Sequence, residues 1–353
     1  MPNLTNGSNM FYYCTSLSSF EKNIPNLENG ENMFAKCLAL TSFNGDMPNL
    51  TNGSNMFYYC TSLSSFDAQN LPNLVDGSYM FYDSNISSFV SSTPKLLKGN
   101  HMFYYCSRLS SFDCEMPEIT SANYMFYYCT ALSSFEGDLS SLTTGNYMFN
   151  SCTALTTFKS DLSSLTTLEQ NNMFNKCSSI KHFEVNLSSL VDHGNIFRSE
   201  LNKIETYIGD LSSLKNGDDM FNYCSKLTSF TSDLSSLTTG KYMFYNCSNL
   251  TSFTSDLSSL TNGYYMFYKC SKLTSFISNL SSLTTGEKMF QNCSSLVSFT
   301  SDLSSLTTGE YMFDNCSSLV SFTSDLSSLR DGDYMFQNCS KLTSFTSDLS
   351  SLT

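Results

Sequence analysis

Thirteen cysteines fall in one repeating column of the sequence: Cys14, Cys37, Cys60, Cys106, Cys129, Cys152, Cys177, Cys224, Cys247, Cys270, Cys293, Cys316 and Cys339, interrupted by Ser84 and Glu200. A row of thiols could form disulfides or hold metal. An odd number cannot pair fully. Residues of one column in stacked parallel strands also keep their Cβ atoms about 4.8 Å apart, beyond the roughly 3.5–4.5 Å that a disulfide spans. No histidine accompanies the thiols and no close Cys pair occurs. The expectation is a column of buried free thiols packed as small apolar groups.

A second column is acidic: Asp138, Asp161, Asp210, Asp233, Asp256, Asp302, Asp325 and Asp348, with Asn186 and Asn279 as substitutes. A carboxylate ladder could bind calcium, but the closely spaced acids and glycines of calcium solenoids are missing. Free exchange of Asp for Asn suits a cap on a helical turn. His101, His182 and His193 are scattered, and no Ser-His-Asp set, HExxH, phosphate loop or paired-carboxylate cleft occurs. The sequence offers catalysis no candidate, no cofactor motif and no metal-ligand set, so a non-enzymatic protein is expected.

These columns exist because the chain repeats. The pair Met-Phe returns at Met10, Met33, Met56, Met80, Met102, Met125, Met148 and Met173, then as Ile196, then at Met220, Met243, Met266, Met289, Met312 and Met335. The commonest step is 23 residues, and "MPNLTNGSNMFYYCTSLSSF" occurs at both Met1–Phe20 and Met47–Phe66. Of the 29 Phe, fifteen follow that Met and fourteen stand nine residues further on, where Tyr207 fills the one gap. Two Phe per unit, each worth about 2 kcal/mol when buried, cannot be covered by a unit of this size alone, but stacked neighbours can cover them. The predicted fold is therefore a repeat solenoid of about fifteen 23-residue turns. The alternating "LTSFTS" supplies a parallel strand, "DLSSL" a short helical or 3₁₀ turn, and "TTG" or "TNG" a tight turn whose Gly accepts positive φ. The units fall into varied repeats at 1–165, irregular ones at 166–210 and near-identical ones at 211–353.

The pattern of Leu, then Phe three on, a small residue two further, Asp-Leu-x-x-Leu, Gly and an aromatic "MF..C" resembles the BspA-like leucine-rich repeat of bacterial and protist surface proteins, along essentially the whole chain. Met replaces the family's Ala, and Phe replaces its strand aliphatic. The next inward position is small at Gly45, Ala68, Cys114, Gly137, Ser232 and Ser255, because Phe takes the volume of a second aliphatic. The resemblance implies a leucine-rich-repeat-like solenoid with a parallel β-sheet on its concave side and the turns on its convex side. It also implies extracellular adhesion.

Net charge is −13 and only 14% of residues are charged. With no basic run, nucleic acid is not an expected partner, and no apolar stretch is long enough to insert in a membrane. Exposed binding residues are expected in two places. One is the strand flank, varied and acidic in the first half (Glu21, Asn44, Asp67, Asp113, Glu136, Lys159, Glu184) and nearly uniform afterwards (Thr231, Thr254, Ile277, Thr300, Thr323, Thr346). The other is the tyrosine pairs, among them Tyr58-Tyr59 and Tyr104-Tyr105, which offer contact area at little entropy cost or stack into a ladder that only stiffens the rod. Arg198 marks the irregular repeat at Ile196–Gly209. The ligand expected from the resemblance is a protein or glycan on a host or neighbouring cell. A structural spacer presenting another domain, as a stalk or fibre element of a phage or virion, is the alternative. Met1 stands in the column of Met47, so the chain is expected to be an interior piece of a longer surface protein. Uncapped ends would allow end-to-end self-association.

Overall fold

The computed structural model describes residues 1–66, 71–166, 172–192 and 202–352. It holds parallel strands at the 23-residue period. β1 to β3 are Ser19–Phe20, Ser42–Phe43 and Ser65–Phe66; β4 to β9 are the five-residue strands Ser88–Ser92, Ser111–Glu115, Ser134–Asp138, Thr157–Asp161, His182–Asn186 and Thr206–Asp210. β10 is Ser229–Thr231, and β11 to β15 are Ser252–Phe253, Ser275–Phe276, Ser298–Phe299, Ser321–Phe322 and Ser344–Phe345. The strands fall into short separate sheets, β1–β3, β4–β5, β11–β12 and β13–β15 among them, and within each the strands of adjacent turns pair in parallel and in register, Phe beside Phe, as in Phe20↔Phe43 and Phe322↔Phe345. The chain forms two compact units, Met1–Leu165 with Gln170–Ile180, and Thr166–Glu169 with Lys181–Thr353.

In each unit the core is the pair of Phe columns. Within a column the rings stack 5.2–6.0 Å apart, as Phe43 does on Phe66 and Phe244 on Phe267. Between columns they meet edge to face, as Phe276 meets Phe290 at 4.8 Å and 76°. Both geometries suit the ring quadrupole. The small inward position follows: a Cβ on Gly137 would lie 3.1 Å from Phe135 Cζ, and Ser255, Ser301 and Ser324 are buried there.

Two expectations about the turns are corrected. Among the described residues there is no helix. Each "DLSSL" closes a single i→i+3 bond, as from Leu142 N–H to the Leu139 carbonyl at 2.9 Å, and Asp138 Oδ1 accepts the Ser140 N–H at 2.9 Å. The Asp therefore caps a turn, as its column suggested. The next N–H groups are committed elsewhere: Thr143 donates to the Thr120 carbonyl of the preceding turn at 3.0 Å. Helix growth, which needs consecutive bonds to offset a costly nucleus, stops there. The glycines also differ from expectation, since none of those described has a left-handed φ. Their column is a close approach: a Cβ on Gly7 would sit 2.7 Å from Met33 Sδ, and one on Gly263 2.8 Å from Met289 Sδ.

The left-handed residues stand instead immediately before the Met and three after it, with φ of 52–64° at Asn9, Tyr13, Asn32, Tyr59, His101, Tyr105, Tyr242 and their equivalents. Between them runs a second hydrogen-bonded wall. Gly7, Asn9, Phe11 and Tyr13 donate to carbonyls of residues 29, 31, 33 and 35 in the next turn, while Met10, Tyr12 and Cys14 donate three residues back. Alternate N–H groups thus point across and along the chain, which satisfies the backbone and holds in place conformations costing about 1–2 kcal/mol each.

Candidate functional site

The thiol column lies inside this second wall. Beyond the first turn, the S–H groups of this column point at the carbonyl of the Phe 25–28 residues earlier, as Cys60 at Phe34 (3.1 Å), Cys106 at Phe81 (3.1 Å), Cys177 at Phe149 (3.0 Å) and Cys270 at Phe244 (3.2 Å). All fourteen cysteines are free; Cys14 is exposed, Cys339 partly so, and the others are buried. Burial pushes the Cys60 and Cys106 thiols up to about 12 and Cys129 and Cys247 well above the ordinary value. A nucleophile needs the thiolate, the form that burial disfavours in these thiols. Among the described residues no cluster of three or more His, Cys, Asp or Glu could hold a metal.

The strand flank faces outward as expected. Glu21, Asn44, Asp113, Glu136, Lys159 and Glu184 are exposed, and so are Thr231, Thr254, Ile277, Thr300, Thr323 and Thr346. Lys159 Nζ lies 3.2 Å from Glu136 Oε1 on the neighbouring strand, an exposed pair worth at most about 1 kcal/mol. Sequence reasoning passed over Val90 and Ile208, which stand in this column 62% and 50% exposed. Asp67 and Arg198 lie outside the described residues.

The tyrosines form a surface of their own on the opposite wall, with the Phe core between them and the strand flank. In the first unit Tyr58, Tyr82, Tyr104 and Tyr127 stack successively at 4.9, 4.6 and 4.8 Å. Beside them run Tyr105 on Tyr128 (4.7 Å) and the column Tyr79, His101, Tyr124 and Tyr147, at 4.5, 4.8 and 4.9 Å. Burial between the rings, helped by neighbouring phenols, pushes Tyr82 up to about 12 and raises Tyr104. Burial lowers His101, whose Nδ1 is enclosed without a hydrogen-bond partner. Tyr58 and Tyr104 are half-buried, while Tyr59, Tyr105 and Tyr128 remain about two-fifths exposed. The ladder expected to stiffen the rod is therefore present, and its outer edge is still accessible. The structure does not bring the acidic flank and the tyrosines together.

Tyr59, Tyr79, Tyr105, Tyr124, Tyr128 and Tyr147 stand at left-handed backbone positions, which sequence reasoning missed. Their signal was there: Asn9, Asn32 and Asn55 hold one of these positions and Asn246, Asn292, Asn315 and Asn338 the other, and Asn is enriched in that region.

Among solved structures, the chain is similar to a leucine-rich repeat protein from Bacteroides ovatus (21% identity, 97% of this chain and 82% of that one, TM-score 0.40). It is also similar to a leucine rich cell surface protein from Faecalibacterium prausnitzii (18%, 81% and 84%, TM-score 0.34) and an internalin from Listeria monocytogenes (11%, 82% and 82%, TM-score 0.39). No curated protein sequence matches it. The BspA type leucine rich repeat region matches in six copies at residues 4–109, 97–214 and 214–343. With that match over nearly all its turns, and a parallel solenoid of 23-residue units, the chain belongs to the BspA type leucine-rich repeat family.

Proposed function

We propose that this solenoid is a non-enzymatic recognition scaffold at a cell surface, binding a protein or glycan on a host or neighbouring cell. The observation that carries this is the tyrosine face of the first unit. It is a rigid, stacked aromatic surface with accessible ring edges and hydroxyls. Such groups supply contact area with little ordering cost on binding. Family membership supports the location. Among the described residues no helix is long and apolar enough to cross a membrane. The test is a glycan and extracellular-protein array probed with the full chain. A Tyr104→Ser/Tyr105→Ser variant should lose the captured ligand, and an Asp113→Asn/Glu136→Gln variant should keep it. The reverse pattern moves the site to the strand flank, and no capture at all refutes the proposal.

A second reading, a spacer, is favoured for the second unit by its nearly uniform exposed column, Thr from Thr231 to Thr346 apart from Ile277. Deleting two near-identical repeats, residues 261–306, should then leave ligand affinity unchanged.

A further inference from the structure

The tyrosine columns of the second unit stop short. Tyr242 stacks on Tyr265 of the following turn at 5.2 Å and 20°, and Tyr245 on Tyr268 at 4.8 Å and 16°. One turn earlier the same two columns hold Asp219 and Asn222. In their own columns Tyr242 and Tyr245 therefore follow a short acid and a short amide rather than rings. Tyr223 adds a third wall, tilted 57° to Tyr245 at 5.2 Å and 56% exposed. Together with Tyr265 these residues line a cleft of about 390 Å³. Asn222 Nδ2 donates to Asp219 Oδ1 at 2.7 Å and so orients the carboxylate. The Asn222 side-chain oxygen is itself buried with no hydrogen-bond partner, a state that costs free energy until a donor arrives.

The same unit shows what this ladder does with a cation. Lys288 stands in the column of Asp219, Tyr242 and Tyr265. Its ammonium lies 5.2 Å from the Tyr265 ring centroid, 5.4 Å from that of Tyr311, and 2.7 Å from Glu287 Oε1. The cleft repeats that combination of aromatic rings and a carboxylate, yet no Lys or Arg is among its lining residues. Tyrosine faces attract cations through the ring quadrupole, and the unpartnered Asn222 oxygen asks for an N–H. We infer that this cleft binds a protonated alkylamine, such as a lysine side chain presented by a partner protein. The site goes beyond the recognition proposed above, since it belongs to the other unit and to a different ligand chemistry.

The test titrates the full chain with n-butylammonium, and separately with tetramethylammonium, by ligand-observed saturation-transfer NMR. Butylammonium should bind saturably in the millimolar range and more tightly than tetramethylammonium, which has no N–H to give. Asp219→Asn keeps the side-chain shape and tolerates the left-handed φ of 64° at that residue. It should weaken butylammonium by about tenfold, the effect of losing one charge-assisted hydrogen bond. Tyr242→Phe should bind as the parent does, and Tyr242→Leu should not bind. Circular dichroism of each variant establishes folding. Butylammonium binding that is absent, is unchanged in Asp219→Asn, or is no tighter than that of tetramethylammonium overturns the assignment. None of these outcomes bears on the tyrosine face of the first unit.

Discussion

Raising the pH above 9 should loosen this protein through its thiols. In the unfolded chain a cysteine releases its proton near its ordinary value of 9.0, whereas in the fold burial holds Cys224 at about 12 and raises Cys247, Cys270, Cys293 and Cys316 well above the ordinary value. The sign follows from proton binding: above pH 9 the unfolded state holds fewer protons than the folded one, so stability falls as pH rises. The contribution is complete below pH 9 and is lost progressively toward the folded values. One unit above 9, each such thiol gives up about 1.4 kcal/mol. For the five in the second unit that is about 7 kcal/mol at pH 10. Guanidinium melts followed by circular dichroism at pH 7, 8, 9 and 10 would show level midpoints up to about pH 8.5 and a steep fall beyond. Thiol counting gives an independent readout. At pH 8 a thiol at about 12 is thiolate in roughly one molecule in 10⁴, against about one in ten for a thiol at 9, so disulfide reagents should react about a thousandfold more slowly from ionisation alone. In native protein Cys14 should react first, with Cys339 trailing, and denaturant should release all fourteen. A midpoint unchanged between pH 8 and pH 10, or fewer than fourteen thiols in denaturant, would refute the buried-thiol ladder.

Other substitutions test the turns one contact at a time. Cys270→Ser should destabilise more than Cys270→Ala, by about 1 kcal/mol or more, because the shorter C–O bond leaves a buried hydroxyl short of the Phe244 carbonyl. Ser84, which occupies this column naturally, lies 3.5 Å from Cys106 Sγ. Thermal melts of the pair decide this, and equal stability would mean that the thiol's hydrogen bond contributes nothing. Gly263→Ala, with Met289 Sδ 2.8 Å from the new Cβ, should cost about 1–3 kcal/mol by overpacking. Gly309→Ala meets nothing closer than 3.3 Å and should be neutral or stabilise by up to about 1 kcal/mol. Hydrogen exchange of the two turns would separate them. Asn315→Gly should be near neutral and Asn315→Val destabilising by about 1–2 kcal/mol, since φ there is 60°. Equal melting temperatures for those two variants would contradict the left-handed backbone. Phe276→Ala removes a ring that meets four others at 4.8–5.7 Å and should cost about 3–5 kcal/mol.

How far the sequence revealed this structure depended on which forces repeat with the period. Burial does, so the two Phe columns, the free cysteines and the small residue beside each strand Phe could all be read from spacing. Asp before each Leu pair was legible as a cap because an Asx turn needs only local residues. Helical propagation after "DLSSL" was not, because Thr143 and its equivalents give their N–H groups to a neighbouring turn, and local sequence does not disclose that competition. The glycine was misread for the same reason. A Gly in "TNG" looks like a turn residue, but what excludes its side chain is a Met one turn and three residues on, and only stacking brings the two together.

The binding surfaces show the same limit from the other side. A tyrosine at a repeating position reads as core, ladder or contact until the backbone handedness is known. Once Asn9 and Tyr13 are seen to share the left-handed region, the tyrosines must project from the second wall. Aligning the columns then locates the one cleft argued for above. Asp219 and Asn222 precede Tyr242 and Tyr245 at the same repeat positions, so the place where a short acid interrupts a row of rings was already written in the sequence. What the repeat register could not supply was the orphaned Asn222 oxygen and the tilt of Tyr223. These turn a missing ring into a site with a preference, because a gap in a ladder admits many ligands while a carboxylate, aromatic rings and an unpaired acceptor favour an amine that can donate.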